Sequence, residues 1–219
     1  SATYPWGQYR LLRELPLSGL WSRYCGTHLL RQATEEHHRT TIAVSPHYVP
    51  AMNERNAMRR EARLRRARAA ADGTEVAANL LENFLAGVPY GEHRVIAGYW
   101  PVGTEIDDLP ILRKLRSMNK EIGLPGIVAD DAPLVFRAWD DRESLVPGRY
   151  SIPTPPEGAA VLQPTLVVVP LLLFDGTGHR IGSGKGFYDR TLASLRDRSS
   201  IVAVGVAYAA QRTNKLETL

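Results

Sequence analysis

Apolar residues occur along this chain either in short unbroken runs or at helical spacing. Runs without polar alternation are typical of strands buried on both faces of a sheet. They are found at 94–100, 166–173 and 201–207, with shorter examples at 121–124 and 134–139. Helices are predicted at 53–71 with Asn53 as N-cap, at 76–87, and from about Pro110. Alternating strands and helices predict an α/β fold, a single three-layer domain with a largely parallel sheet and flanking helices.

A glycine-rich segment follows the longest apolar run. Five glycines fall between Gly176 and Gly186, although each glycine costs conformational entropy in regular secondary structure. Glycine suits a backbone whose N–H groups curl closely around a phosphate, and Arg180 and Lys185 add positive charge. Helical spacing begins at Phe187, so the segment leads into a helix N-terminus. It therefore predicts an anion site.

Two common phosphate-binding motifs do not fit this segment. A Walker A loop requires glycine where His179 stands and serine or threonine where Gly186 stands. A dinucleotide fingerprint starting at Gly182 requires glycine in place of Phe187. A glycine-rich hairpin without a ligand is the alternative, but a plain turn has no need of the flanking charges. One of those charges, Asp189, is placed to hold a magnesium ion that bridges phosphates.

A second candidate site follows the strand predicted at 94–100. Three acidic residues lie there, of which Asp107 or Asp108 is the expected helix cap. Glu105 lies at the carboxyl end of the strand, where open α/β sheets bind their ligands. Trp100 offers a flat face on which a ring can stack. We therefore expect Glu105 and Trp100 to contact a ligand.

The composition and net charge of the chain exclude some classes of function. The 219 residues are 44% hydrophobic and 23% charged, as in ordinary globular domains, and the net charge is +4. This charge suits an anionic ligand but is too small to indicate nucleic acid binding. The single cysteine, Cys25, excludes an internal disulfide framework and fits a reducing compartment. We expect a cytoplasmic protein without a membrane span.

The first predicted helix is rich in arginine. Its seven arginines are Arg55, Arg59, Arg60, Arg63, Arg65, Arg66 and Arg68. We interpret most of them as a solvated basic face, but Arg55 and Arg59 lie one turn apart and can meet one polyanion together. A nucleic-acid-binding helix is the alternative, and the lack of interleaved aromatic residues argues against it.

With these residues placed, the chain resembles the 5-formyltetrahydrofolate cyclo-ligase family, also called methenyltetrahydrofolate synthetases. The strongest match is at 170–189, which follow the pattern P-x-x-x-F-D-x-x-G-x-R-x-G-x-G-x-G-x-Y-D. Supporting matches are Arg55-x-x-Met58-Arg59, the Y-x-P-x-x-x-E-I-D region from Tyr99 to Asp107, and the segments 136–155 and 204–211. Together they cover about residues 53–211.

The resemblance implies ATP-dependent ring closure of 5-formyltetrahydrofolate to 5,10-methenyltetrahydrofolate, with release of ADP and phosphate. It implies phosphorylation of the formyl oxygen before N10 attacks the activated carbon, with Lys185 and Arg180 as catalytic residues. The residues it assigns to ATP are Arg55, Arg59, Arg180, Gly182, Gly184, Lys185, Gly186, Phe187 and Tyr188. It assigns the folate to Trp100 and Glu105, and Mg²⁺ to Asp189. We expect a monomer that binds neither nucleic acid nor a membrane.

Departures from the family pattern lead to further expectations. Thr165 stands where the family has aspartate, and 212–219 lack the family's C-terminal acidic metal contact and last strand. We therefore expect weakened Mg-ATP binding and an open sheet edge beside 201–207. A catalytically impaired ATP- or folate-binding relative is the alternative. Residues 1–52 have no counterpart in the family, so we expect a poorly ordered extension with few contacts to a domain at 53–219.

Overall fold

The computed structural model of this chain describes residues 9–11, 52–71, 76–214 and 216. Its helices are α1 (Met52–Ala71), α2 (Val76–Gly87), α3 (Leu109–Ser117) and α4 (Phe187–Arg196). Its strands are β1 (Tyr9–Leu11), β2 (Val95–Ala97), β3 (Glu121–Gly126), β4 (Val135–Ala138), β5 (Val146–Pro147), β6 (Pro153–Thr154), β7 (Leu166–Pro170), β8 (Leu173–Phe174), β9 (Arg180–Ile181) and β10 (Val202–Val206). Within these ranges no helix is both long and apolar enough to cross a membrane.

One six-stranded sheet has the order β1-β10-β7-β2-β3-β4. Neighbouring strands in it are parallel, except that β3 and β4 are antiparallel. The strands β5 and β6 form a separate antiparallel pair, and so do β8 and β9. The predicted α/β fold with a largely parallel sheet is confirmed, and β7 lies inside the sheet between β10 and β2.

The apolar sequence of β7 explains its central place. All four residues from Leu166 to Val169 are 0% exposed. Successive side chains point to opposite faces of a strand, so Val168 packs with Leu112 of α3, whereas Val167 packs with Leu192 of α4. Burying each such side chain contributes about 1.5–3 kcal/mol. The sheet therefore has a helical layer on each face, which confirms the three-layer prediction.

The strand predicted at 166–173 is wrong at its C-terminal end. β7 ends at Pro170, because proline has no N–H to donate to a sheet ladder. The chain then turns into the β8–β9 hairpin, where the N–H of Leu172 donates to the carbonyl of Ile181 at 2.7 Å. Leu172 and Leu173 of the run are buried beneath α1, in a cluster that includes Ala62.

The strand predicted at 94–100 is also shorter than expected, because β2 ends at Ala97. The N–H of Tyr99 donates to the carboxyl group of Asp108 at 3.1 Å instead of to a neighbouring strand. Asp108 therefore makes no capping hydrogen bond, although it directly precedes α3. Asp107 instead accepts a hydrogen bond from the first N–H of α3 at 2.9 Å. Of the two predicted caps, Asp107 is the one observed.

The predicted helices are confirmed with small changes at their ends. α1 begins at Met52, so Asn53 lies in its first turn and the predicted N-cap is wrong. α2 ends at Gly87 as predicted. Pro110 lies in the first turn of α3, where a missing N–H donor costs nothing.

The outer edge of β10 is covered by β1. Residues 9–11 pair in parallel with 203–205. The prediction of an open edge beside β10 is therefore wrong, and so is the prediction of few contacts for these three residues. Covering this edge removes unpaired backbone groups that would otherwise be open to another chain. Met52, the last residue of the predicted extension, is the first residue of α1, and residues 1–8 and 12–51 lie outside the described residues.

Candidate active site

A cavity of about 590 Å³ opens between α1, the carboxyl ends of β2 and β7, and the loop that joins β9 to α4. We call Gly182–Gly186, in that loop, the glycine loop. This one cavity is lined by every residue that the family resemblance assigned to ATP, the folate or Mg²⁺. These residues are Arg55, Arg59, Trp100, Glu105, Arg180, Gly182, Gly184, Lys185, Gly186, Phe187, Tyr188 and Asp189. The fold thus brings together two candidate sites that are far apart in sequence.

The glycine loop has a backbone that only glycine adopts easily. Gly184 and Gly186 have φ angles of +106° and +70°. A Cβ atom at Gly186 would lie 2.8 Å from the guanidinium of Arg190, and one at Gly184 would lie 3.3 Å from that of Arg59. α4 begins directly after the loop, at Phe187. A helix N-terminus beside a tight loop attracts anions, because its backbone N–H groups and its dipole present positive charge.

Arginines of α1 reach the glycine loop from the other side of the cavity. The Nε of Arg59 donates to the carbonyl of Gly182 at 3.4 Å, and Nη2 of Arg63 donates to the carbonyl of Ser183 at 3.3 Å. The Nε of Arg55 is buried and has no hydrogen-bond partner in the described part of the chain. A buried donor of this kind needs an acceptor, and a bound anion would supply one.

The solvated face of α1 is smaller than predicted. Arg60, Arg65 and Arg68 are exposed, in agreement with the prediction. Arg66 is not, since its side chain is 13% exposed and its Nη1 lies 3.4 Å from a carboxylate oxygen of Glu105. The prediction of a solvated side chain is therefore wrong for Arg66.

Lys185 lies at the mouth of the cavity beside Tyr150. Its Nζ is 3.4 Å from the tyrosine oxygen and 5.0 Å from the ring centroid, a cation–π contact. Tyr150 has a φ of +57°, which is uncommon for a residue with a side chain. Its hydroxyl also donates to Asp130, whose pKa is lowered by hydrogen bonds from Tyr150 and Arg149. These contacts hold the side chain of Lys185, a residue of the glycine loop, against Tyr150.

Arg180 and Asp189 form an ion pair within the cavity wall. Nη2 of Arg180 donates to Oδ1 of Asp189 at 2.5 Å, and the two side chains are 7% and 52% exposed. No group of three or more histidine, cysteine, aspartate or glutamate side chains in the described ranges is placed to hold a metal. Asp189 thus offers a single carboxylate. Magnesium is usually held by one or two carboxylates plus phosphate oxygens and water, so this donor set fits a metal that arrives with a nucleotide.

Trp100 and Glu105 line another part of the same cavity. The Glu105 side chain is 20% exposed, and its Oε2 accepts a hydrogen bond from the N–H of Val102 at 3.1 Å. Burial raises the pKa of Tyr188 well above its usual value, and the neighbouring carboxyl groups act in the same direction. Burial also raises the pKa of Asp108 well above its usual value. Glu105 and Trp100 thus offer a carboxyl group and a flat aromatic face to the same cavity.

Among the cavity residues not assigned from the sequence are Arg66, Tyr150 and Leu216. Arg66 follows Arg55 by eleven residues, about three helical turns, and this spacing indicates that the two share one face of the helix. No pattern in the sequence indicates that Tyr150 and Leu216 line the cavity. Tyr150 reaches the cavity through a turn, and the N–H of Leu216 donates to the buried carboxylate of Asp175 at 2.8 Å.

Comparison with known proteins gives a consistent set of relatives. The chain is 30% identical over 135 residues to the 5-formyltetrahydrofolate cyclo-ligase of Mycolicibacterium smegmatis, which covers 58% of this chain and 69% of the relative. It is 29% identical over 150 residues to that of Haemophilus influenzae, covering 66% and 76%. It is 32% identical over 117 residues to that of Escherichia coli K12, covering 51% and 64%.

Two solved structures share the fold. The NMR structure of Aquifex aeolicus 5,10-methenyltetrahydrofolate synthetase has a TM-score of 0.60 at 24% identity, covering 74% of this chain and 81% of that one. The 5,10-methenyltetrahydrofolate synthetase from Mycoplasma pneumoniae has a TM-score of 0.56 at 22% identity, covering 74% and 90%. At these identities the likeness establishes the fold alone.

The model of the 5-formyltetrahydrofolate cyclo-ligase family matches residues 51–217, which includes positions beyond Gln211, where the motif resemblance stops. Enzymes of this family are ligases that catalyse the ATP-dependent cyclisation of 5-formyltetrahydrofolate. Because the match spans most of the chain and the predicted motifs meet in one cavity, this chain belongs to the 5-formyltetrahydrofolate cyclo-ligase family.

Proposed function

We propose that this chain itself catalyses the ATP-dependent cyclisation of 5-formyltetrahydrofolate to 5,10-methenyltetrahydrofolate, with release of ADP and phosphate. The observation that carries the proposal is the shared cavity. The glycine loop with its cations and the end lined by Trp100 and Glu105 open into one space of about 590 Å³. A nucleotide γ-phosphate and a folate formyl group would therefore meet inside it, which favours a reaction that depends on positioning.

At the glycine-loop end, the chain would stabilise phosphate charge. The formyl oxygen attacks the γ-phosphorus and ADP leaves, after which N10 attacks the carbon, loses its proton and expels phosphate. Lys185 and Arg180 would neutralise charge on the phosphoryl group in transfer, while Arg55 and Arg59 would neutralise the remaining phosphates. The N–H groups of Gly182, Gly184 and Gly186 would add hydrogen bonds to phosphate oxygens.

At the other end, the chain would hold the folate. Trp100 would stack on the pterin ring, and the Glu105 carboxylate would accept hydrogen bonds from the pterin N–H groups. Phe187 and Tyr188, at the start of α4, would contact the nucleotide. Because burial raises the pKa of Tyr188, its hydroxyl stays neutral and adds no negative charge near the phosphates.

Asp189 would hold Mg²⁺ together with phosphate oxygens. When bound, this metal would neutralise charge on the phosphates. Since Asp189 already pairs with Arg180, the carboxylate would serve both cations. The chain thus needs the nucleotide to complete the metal site, and the affinities for Mg²⁺ and ATP should depend on each other.

The test is direct. The protein is mixed with 5-formyltetrahydrofolate and Mg-ATP, and the absorbance of the methenyl product is followed. We expect product only when ATP is present, with one ADP formed per product molecule. ATP or folate binding without product, in a folded protein, would favour the catalytically impaired relative over the proposed enzyme.

Three features of the proposal rest on sequence and family alone: a cytoplasmic location, a monomeric state and no binding to nucleic acid. The monomeric state can be checked by light scattering during size-exclusion chromatography. We expect one species at the mass of a single chain, 24.3 kDa.

A further inference from the structure

Arg66 joins α1 to the loop that carries Glu105. Its Nε donates to the hydroxyl oxygen of Thr104 at 3.1 Å, and its Nη1 donates to Oε1 of Glu105 at 3.4 Å. The other carboxylate oxygen of Glu105 accepts the N–H of Val102 at 3.1 Å. Both oxygens of Glu105 are therefore engaged, one by its own loop and one by a different element of the fold.

This pair differs from an ordinary surface ion pair. The side chains of Arg66 and Glu105 are only 13% and 20% exposed, so solvent screens them less than it screens exposed charges. By comparison, the pair between Arg65 and Glu61 on the same helix is 43% and 63% exposed. A carboxylate fixed at both oxygens keeps one orientation toward the cavity, which lowers the entropy lost when a ligand binds.

The same face of α1 also contacts the glycine loop. Arg59 and Arg63 donate to carbonyls of the glycine loop, and Arg66 follows Arg63 by three residues. Residues three and four apart lie on one side of a helix. One helix thus contacts both the glycine loop and Glu105.

We propose that Arg66 is a positioning residue that fixes the Glu105 carboxylate for the pterin of the folate. This assignment rests on the function proposed above. In this role Arg66 acts through Glu105, while the Thr104 hydroxyl holds the plane of its guanidinium. Lysine cannot reproduce this arrangement fully, because an ammonium group lacks the planar fork that reaches two acceptors.

The test is a double-mutant cycle with Arg66→Met and Glu105→Gln, measured as KM for each substrate and as equilibrium binding of 5-formyltetrahydrofolate by calorimetry. Arg66→Met keeps the apolar stem and removes the charge. We expect it to raise the KM and the Kd for the folate about 5- to 30-fold, with the KM for ATP changed less than about twofold. In the Glu105→Gln background the same change should cost less than about threefold.

Three further variants separate positioning from packing. Arg66→Lys should recover part of the folate affinity, and Thr104→Val should raise the folate KM by about two- to fivefold, because it removes one acceptor of Arg66. Arg65→Met, on the exposed side of α1, is the matched control and should leave both KM values within about twofold. Thermal melts show whether each variant folds. If Arg66→Met does not fold, the folate KM values of Arg66→Lys and Thr104→Val test the proposal instead.

The outcomes distinguish this inference from the proposed function. Equal losses from Arg66→Met in both backgrounds, or a rise in the ATP KM alone, would overturn the positioning role while turnover stands. If the wild-type chain binds folate without turning it over, the proposed function fails, and the binding cycle still decides the role of Arg66. A wild-type chain that does not bind the folate overturns both.

Discussion

Replacing Asp175 with asparagine should weaken the contact between Leu216 and the β8–β9 turn. The Asp175 carboxylate is 0% exposed. Its Oδ1 accepts hydrogen bonds from the hydroxyl of Thr177 at 2.7 Å and from the backbone N–H groups of Thr177 and His179 at 2.9 and 3.1 Å. Its Oδ2 accepts the N–H of Leu216 at 2.8 Å and lies 3.4 Å from the imidazole Nδ1 of His179. One buried group therefore ties the β8–β9 turn to a residue that lines the cavity.

Asparagine can replace only half of this arrangement. With its oxygen in the place of Oδ1 it keeps the three bonds within the turn, but its NH₂ group then faces the N–H of Leu216, donor against donor. We expect the free energy of unfolding to fall by about 2–4 kcal/mol, since a hydrogen bond to a charge is lost and a buried N–H is left unpaired. For a chain of this size, that corresponds to a fall in Tm of roughly 5–15 °C.

The effect of Asp175 should also depend on pH. Burial raises the pKa of Asp175, but hydrogen bonds from the Thr177 hydroxyl and from backbone N–H groups, including that of Leu216, outweigh it and bring the pKa to about 2. The folded-state pKa lies below the unfolded value of about 3.9, so the charged carboxylate stabilises the folded state above about pH 4. This contribution, about 2.5 kcal/mol, is lost as the pH falls toward 2.

Urea unfolding followed by tryptophan fluorescence measures both effects. The wild type and Asp175→Asn should differ by about 2–4 kcal/mol at pH 7, and the difference should shrink between about pH 4 and pH 2. Asp197→Asn, at an exposed position after α4, is the control and should change stability by less than about 0.5 kcal/mol. A stable Asp175→Asn protein, or a difference that stays constant down to pH 2, would refute the reasoning.

Three further variants test other parts of the molecule. Lys185→Ala should lower kcat/KM for ATP about 10- to 100-fold, because it removes one charge-assisted phosphate contact. The control Lys114→Ala, on an exposed helix face, should change kcat/KM by less than about twofold. If Lys185→Ala and the wild type had equal kcat/KM, Lys185 would not be part of the site. Gly184→Ala, at a φ of +106°, should weaken ATP binding in calorimetry, and unchanged affinity would show that the loop tolerates a side chain there. Gly98→Ala would place a Cβ 2.5 Å from a carboxylate oxygen of Asp108, so we expect a loss of about 1–3 kcal/mol in urea unfolding, and wild-type stability would contradict the packing.

Local physics made much of the fold and site predictable. The apolar run at 166–169 predicts a strand covered on both faces of a sheet, and these residues are buried in that way. The dense glycines predict a loop with unusual backbone angles, and Gly184 and Gly186 have positive φ angles. Tertiary contacts decided what the sequence could not show. The N–H of Tyr99 donates to a buried carboxyl group instead of to a strand. Leu216 is held at the cavity by the distant Asp175 carboxylate and by an apolar cluster that includes Ala62.

The strand at the edge of the sheet, β1, could not be predicted from the sequence either. A strand of three residues, Tyr9–Leu11, has too few positions for a periodic pattern, so nothing in the sequence separates it from the segment around it. Its place beside β10 depends on the edge that the rest of the fold leaves available. Edge strands of this length are recognised from pairing partners, not from their own residues.

The proposed reaction requires that one cavity transfers the γ-phosphoryl group of ATP to the formyl oxygen of the folate before the ring closes. The most direct measurement uses 5-formyltetrahydrofolate labelled with ¹⁸O in the formyl group and follows the label by mass spectrometry of the released phosphate. We expect each released phosphate to carry one ¹⁸O atom, and phosphate to form in step with the methenyl product and with ADP. Unlabelled phosphate would mean that water, and not the formyl oxygen, receives the phosphoryl group, and it would contradict the proposed reaction.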